Sequence, residues 1–201
     1  MTNSQLFRLF FIFIFLGTLA ISSYYRRRAR QSGEVISRTS EGGIFLAGRA
    51  IMAAALFLPF LAYMLNPAWM NWSALALPDW LRWLGVAAGL AILPMIYWVM
   101  TSIGKNISET TLTKSSHELI THGPYNWIRH PLYTFATIGF VSLAVVAGNW
   151  LMLAMALLAF GAIAWFVVPR EEAELINKFG SDYQNYQERT GRFTPWSRRA
   201  R

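Results

Sequence analysis

The chain contains no cysteine, which excludes disulfides, thiolate metal sites and a cysteine nucleophile. It is also poor in charge. Only 14% of its 201 residues are Asp, Glu, Lys or Arg, against about 25% in a typical soluble domain. Acid is scarcer still, with 10 Asp and Glu beside 18 Lys and Arg. There are 3 histidines, His117, His122 and His130. What is abundant is apolar: 55% of residues are hydrophobic and the mean hydropathy is +0.34. These residues come in long runs, not in alternation. Such a composition excludes an ordinary soluble domain and implies an all-α integral membrane protein.

Five runs approach the roughly 20 apolar residues needed to cross about 30 Å of hydrocarbon. They lie at about 6–25, 44–65, 81–100, 132–148 and 150–168. The first is too long for a signal h-region, has no basic segment before it and shows no small-residue cleavage site, so it reads as a retained span. Arg8 and Arg49 lie near span ends, within snorkelling reach. Between the second and third runs, Trp69, Trp72 and Trp80 with Pro67 and Pro78 read as a short interfacial segment. Gly148-Asn149 is a strong turn signal, so the last two runs form an antiparallel hairpin.

Charge sets the expected orientation. With the N-terminus outside, 26–43, 101–131 and 169–201 share one side, and 16 of the 18 Lys and Arg fall there or just inside it. Only Arg8 and Arg82 fall near the other face. By the positive-inside rule the crowded side is cytoplasmic. The net charge of +8 therefore follows anionic lipid, not nucleic acid, for which there is no basic-aromatic ribbon. Residues 1–100 are expected to form three N-terminal spans. Residues 101–201 would form a catalytic region, comprising a cytoplasmic loop, the hairpin and a C-terminal helix, packed with the first part as one structural unit. That helix covers Arg170–Gln187. It opens after Pro169 with Glu171, Glu172 and Glu174 favouring the positive end of its dipole, is interrupted at Gly180, and ends before Gly191 and Pro195.

Two polar clusters flank the hairpin. His117-Glu-Leu-Ile-Thr-His-Gly-Pro-Tyr-Asn-Trp-Ile-Arg-His-Pro-Leu-Tyr133 precedes the fourth span, and Pro169-Arg-Glu-Glu172 follows the fifth. The hairpin returns both to one membrane face, where they can converge. Polar groups at a membrane edge are costly without partners, so such density marks a functional site. Pro131 suits the first turn of a helix, whose free N–H groups then face the cytoplasm and suit an anion. Gly123-Pro124 permits a tight turn. Tyr125 and Tyr133 offer aromatic walls with hydroxyl handles, and Glu171 offers an acceptor for ribose hydroxyls or an ammonium. Singly, most of these residues have ordinary structural roles: Arg129 on lipid headgroups, tyrosines at an interface, Glu171-Glu172 against a helix dipole. Together at these spacings they point to a site. No metal-ligand pattern is present.

The pattern His117-x-Leu-Ile-x-x-Gly123-x-Tyr125-x-x-x-Arg129-His-Pro-x-Tyr133 resembles the cofactor signature of the isoprenylcysteine carboxyl methyltransferases, a family of integral membrane enzymes. So does the later Glu171-Glu172…Phe179-Gly180-x-x-Tyr183-x-x-Tyr186…Thr190-Gly-Arg192. The resemblance covers about 103–195. It implies a methyltransferase that uses S-adenosyl-L-methionine, held by His117, Glu118, Leu119, Ile120, Tyr125, Arg129, His130, Pro131, Leu132, Tyr133 and Glu171. One departure bears on substrate: family members acting on a prenylcysteine carboxylate place an arginine one turn before the glutamate, where this chain has Val167. Arg170, three residues on, is the substitute candidate for catalysis or substrate contact.

The expected function is methyl transfer to a lipophilic or lipidated, membrane-embedded acceptor of carboxylate or thiol type, in contact with membrane lipids. His130 or Glu172 is the candidate base if the acceptor must lose a proton. The alternatives are a phospholipid N-methyltransferase or a non-enzymatic membrane protein retaining the cofactor fold. Transport is disfavoured, because the fourth and fifth spans carry almost no polar groups at mid-membrane depth.

Overall fold

The structure is a computed structural model that describes residues 2–31, 42–107 and 118–195. Among the described residues there are seven α-helices: α1 (Asn3–Gln31), α2 (Gly43–Leu65), α3 (Asp79–Ile103), α4 (Pro131–Ala147), α5 (Trp150–Ala162), α6 (Val168–Phe179) and α7 (Ser181–Arg189). Among the described residues there is no strand, only two isolated bridges. The five apolar runs are thus all helical, and the chain is a multi-pass integral membrane protein.

Their lengths differ from those read off the runs. α1 has 29 residues, because helix formers such as Gln5, Arg26 and Arg28 extend it beyond its apolar stretch. α4 has 17 residues and rises about 26 Å at 1.5 Å per residue, somewhat less than the hydrocarbon thickness. The fifth span does not end where the polar helix begins. Trp150 to Phe179 is one 30-residue helical rod, with a π-helical segment at Ile163–Val167 joining α5 to α6. Pro169 accounts for that segment: it lacks an N–H and its ring crowds the carbonyl four residues back, so the ladder widens locally.

The helices pack α3 against α4 and α1, α4 against α5, and α5 against α2. The core is aromatic. Phe7, Phe11, Ile14 and Phe15 of α1 meet Phe60 and Tyr63 of α2, Leu143, Ala144 and Val146 of α4 and Met152 of α5. Phe11 and Phe15 each stack on Phe60. α3 approaches α4 closely through Gly85, where a Cβ would come 3.0 Å from the Ser142 carbonyl.

On the face opposite the polar clusters, two arginines cap helix ends. Arg8 donates to the carbonyls of Met64 and Leu65, both at 2.9 Å. Arg82 donates to the Val146 carbonyl at 3.0 Å and lies 4.0 Å over the Phe7 ring. The last carbonyls of α2 and α4 have no helical partner and sit at the negative end of a dipole, so a guanidinium serves both needs. Snorkelling alone does not describe Arg8.

The α4–α5 turn forms as its residues demand. Gly148 adopts φ 63°, and a Cβ there would lie 2.9 Å from the Leu75 carbonyl. Asn149 caps α5 by accepting from the Met152 N–H at 3.1 Å, while its amide donates to Ser73 Oγ and the Met70 carbonyl. The hairpin is thereby latched to the tryptophan-rich segment 67–73. The two polar clusters emerge together at the other end.

Candidate functional site

The loop before α4 is shaped by backbone contacts. At Gly123, φ is 61° and a Cβ would come 2.6 Å from Ser102 Oγ, so glycine is required twice over. Asn106, buried after α3, donates to the Glu118 carbonyl at 2.6 Å and accepts from the Glu118 N–H at 3.3 Å. Glu118 itself is exposed, and Leu119 and Ile120 are half-buried. His117 lies outside the described residues. Tyr125 is buried in a short 3-10 turn at Gly123–Asn126, and its carbonyl accepts from the Tyr186 hydroxyl at 2.5 Å.

The segment after α7 folds back onto this loop. The N–H groups of Arg129 and His130 donate to the carbonyls of Gly191 (2.8 Å) and Arg192 (3.1 Å), and Thr134 Oγ1 donates to the Phe193 carbonyl at 2.9 Å. The start of α4 is therefore held by residues 59 to 62 positions later in the chain.

Side chains complete the junction. Arg129 donates from Nε to Glu172 Oε1 at 3.1 Å, with Nη2 3.0 Å from the same oxygen, and from Nη1 to the carbonyls of Gln187 (2.9 Å) and Thr190 (2.6 Å). Arg192 Nη2 reaches the other oxygen of Glu172 at 2.5 Å. His130, at the N-cap of α4, places Nε2 3.2 Å from Glu172 Oε1 and Nδ1 3.6 Å from Glu171 Oε2. The Tyr133 hydroxyl donates to Glu171 Oε1 at 2.5 Å, and its ring stacks on His130 with centroids 5.9 Å apart.

The electrostatics separate the two glutamates. Burial opposes charge on Glu172, but hydrogen bonds from His130 and Arg192 and the nearby Arg129 charge overcome it, holding the carboxyl down at about 2. Glu172 is a saturated anchor. Glu171 is more open, its side chain 22% exposed against 5% for Glu172, and it is oriented by Tyr133. Burial first, then neighbouring Tyr186 and Glu171, pushes the Tyr125 hydroxyl up; burial and then Glu172 do the same to Tyr183. Both phenols stay protonated and remain donors. The Tyr183 hydroxyl is buried without a hydrogen-bond partner among the described residues.

Of the residues expected from sequence, Tyr125, Arg129, His130, Pro131, Tyr133, Glu171 and Glu172 gather at this junction. Leu132 packs with the small cluster of Ile92, Ile96 and Met100. Arg170 points elsewhere, over the Phe45 ring at 4.2 Å. Arg129 is engaged with Glu172 and the end of α7. Arg192, Tyr183 and Asn106 were not anticipated as site residues. For the first two the signal was present in the later motif, but nothing local in sequence tied them to Glu172.

Known proteins resemble this chain in sequence and fold. The profile described as phospholipid methyltransferase matches residues 80–182, half of the chain. The chain belongs to that family. Curated relatives include the nickel-cobalt-cadmium resistance protein NccN of Alcaligenes xylosoxydans xylosoxydans, 31% identical over 55% of this chain and 52% of that protein. Methanethiol S-methyltransferase 1 of Bradyrhizobium diazoefficiens is 33% identical over 37% and 25%, and the protein-S-isoprenylcysteine O-methyltransferase of Tribolium castaneum is 30% identical over 41% and 29%. The chain spans about half the length of these relatives, or less. A solved eukaryotic isoprenylcysteine carboxyl methyltransferase shares the fold at a TM-score of 0.58 and 21% identity, covering 94% of this chain and 68% of that one. The resemblance carried by the two motifs thus holds at the level of family and fold.

Proposed function

We propose that the protein is a membrane-embedded methyltransferase that uses S-adenosyl-L-methionine and acts on a lipophilic acceptor. The observation that carries this reading is the meeting of Tyr133, His130 and Glu171 across the α4–α5 hairpin. The family supplies its context, since relatives are named for transfer to oxygen and to sulfur.

The residues present fit the cofactor. Its ammonium and ribose diol need an acceptor, which Glu171 provides in a fixed orientation. Its carboxylate and ring nitrogens need donors, which the protonated hydroxyls of Tyr125 and Tyr183 can supply, the latter without a partner among the described residues. Leu119 and Ile120 offer an apolar wall. Bound there, the cofactor would supply an already activated methyl group. The chain's remaining work is alignment and exclusion of water, which the apolar ends of α3, α4 and α5 perform. Glu172, held as a carboxylate by three cationic or hydrogen-bonding neighbours, is too weak a base for neutral pH. It acts as a positioning residue. If the acceptor must lose a proton, the candidate group is His130 through Nδ1, which faces Glu171, since Nε2 is held by Glu172. The site lies on the side with most of the Lys and Arg, which we assign to the cytoplasm.

The test is calorimetric binding of S-adenosylhomocysteine to detergent-purified protein, with Glu171→Ala alongside. We expect binding that weakens at least about tenfold in the variant, or about 1.4 kcal/mol. Equal binding by both proteins, or by neither, would overturn the assignment.

A further inference from the structure

Among the described residues, every exposed tryptophan and tyrosine lies at one of two levels. Toward the face of Arg8 and Arg82 stand Trp69, Trp72, Trp80, Trp83 and Trp150. Toward the face of the polar clusters stand Tyr24, Tyr97, Trp127 and Trp165. Between the levels the exposed large side chains have no polar tip, as with Phe13, Ile51, Ile138 and Leu157. Ring contacts tie each level together across elements. Trp72 meets Trp150 edge-on at 5.9 Å, joining the 67–73 segment to α5. At the other level Tyr25 meets Tyr24 at 5.1 Å and Tyr97 at 5.9 Å. Trp98 meets Trp127 at 5.8 Å, so α1, α3 and the loop before α4 share that level. An indole or phenol keeps its ring in hydrocarbon and its N–H or O–H wet. The two levels therefore mark the edges of the apolar layer.

Their separation is short. Trp150 and Trp165 share the α5–α6 rod, and Trp83 and Tyr97 share α3, at intervals of about 21–23 Å for a rise of 1.5 Å per residue. Measured from Trp80 instead, the α3 interval is about 26 Å. Charge gives the same answer independently. On α1, Arg8 and Arg26 bracket the uncharged stretch 9–25, about 26 Å long, which equals the rise of α4. Tilt lowers these heights further.

We propose that the two aromatic levels fit this protein to a thin hydrocarbon layer, about 21–26 Å against about 30 Å in a typical bilayer, and that short-chain phospholipid is the lipid its lateral surface takes best. In a thicker layer one level is drawn into hydrocarbon, where its N–H and O–H groups lose water, or the lipid must thin around the protein, and either is a cost. The inference concerns the lateral surface alone, and it stands whether or not the junction at Glu171 binds S-adenosyl-L-methionine.

The experiment places the full chain in vesicles of single phosphatidylcholines with monounsaturated chains of increasing length, spanning hydrocarbon layers of about 22 to about 33 Å, and follows thermal unfolding. The midpoint should peak at or below about 26 Å and fall by several degrees toward the thickest layer. Trp80→Leu/Trp165→Leu removes one ring from each level at side chains 65% and 79% exposed. It leaves apolar surface in place without the polar tips, so the peak should move to thicker layers. Phe13→Leu, at a ring 61% exposed between the levels, should keep the wild-type profile. A wild-type midpoint that peaks near 30 Å, or that ignores chain length, overturns the proposal. So does a double variant with the wild-type peak, or Phe13→Leu moving the peak as far as the double variant, because the levels would then not set the fit.

Discussion

The two ends of this bundle are held together by opposite means. Toward the face where Arg8 and Arg82 lie, α1, α2 and α4 meet through rings: Phe60 against Phe11, Phe15 and Phe140 at centroid distances of 6.1, 6.2 and 5.1 Å. At the other face, the hairpin and the C-terminal segment meet through charge, with Arg129, His130 and Arg192 converging on the one carboxylate of Glu172. In lipid the two are not equivalent. Helices already inserted gain no hydrophobic free energy by associating, so the aromatic end depends on dispersion and fit. The charged end depends on a few strong contacts whose partners are stranded if one is lost.

Breaking the charged end should therefore have the largest effect. Glu172→Ala leaves Arg129, with its side chain 10% exposed, without its carboxylate, at an expected cost of about 3–4 kcal/mol. Proteolysis should then cut after α7 in the variant under conditions where the wild type resists. Equal resistance would mean the backbone pairing of 191–193 with 129–134 holds the segment alone. Acid should make the same break reversibly. The Glu172 carboxyl is lowered from 4.5 to about 2, so the carboxylate favours the folded state. Its contribution is complete above pH 4.5 and is lost as pH falls from there toward 2. Fluorescence of Trp127, in the loop beside Arg129, should report release of the segment in that window. Release that sets in at neutral pH would contradict it.

Truncating the aromatic end should cost less. A buried Phe→Ala change in a water-soluble core costs about 3–5 kcal/mol, part of it transfer from water. For Phe60→Ala in a bilayer that part is absent, leaving about 2 kcal/mol of lost packing. Unfolding of the two variants in the same micelles measures the contrast. A Phe60→Ala cost equal to that of Glu172→Ala would abolish it.

How much of this was legible in the sequence divides along the same line. The aromatic end was legible, because a span announces itself as an apolar run and its partner is set by a short turn: Gly148-Asn149 dictated the hairpin, and Gly180 did end α6. The charged end was legible as two clusters that ought to converge, but not as a circuit. Arg129 has four donor contacts reaching 43 to 61 positions away, and no local pattern says whether such a fork faces a ligand or a later stretch of its own chain. Arg8 and Arg82 were invisible as caps for the same reason, since the carbonyls they satisfy belong to other helices. Pro169 announced a boundary, and the structure instead continued the helix by widening one turn.

Tyr183 offers the finest distinction between a part that holds the fold and a part that waits for a ligand. Its ring is 1% exposed and packs against Tyr186 at 5.9 Å, yet its hydroxyl has no partner among the described residues. A buried hydroxyl without a hydrogen bond is a cost, commonly about 1–3 kcal/mol, and removing it returns part of that. Tyr183→Phe keeps the ring, so the unliganded protein should gain stability by up to about 1 kcal/mol. If the hydroxyl serves the cofactor, the same change should weaken S-adenosylhomocysteine binding several-fold. Opposite signs in the two measurements would mark Tyr183 as a binding residue with a stability cost in the free protein. A stability gain with unchanged binding would show that the hydroxyl faces no ligand, and a loss of stability would show that it already has a partner in the fold.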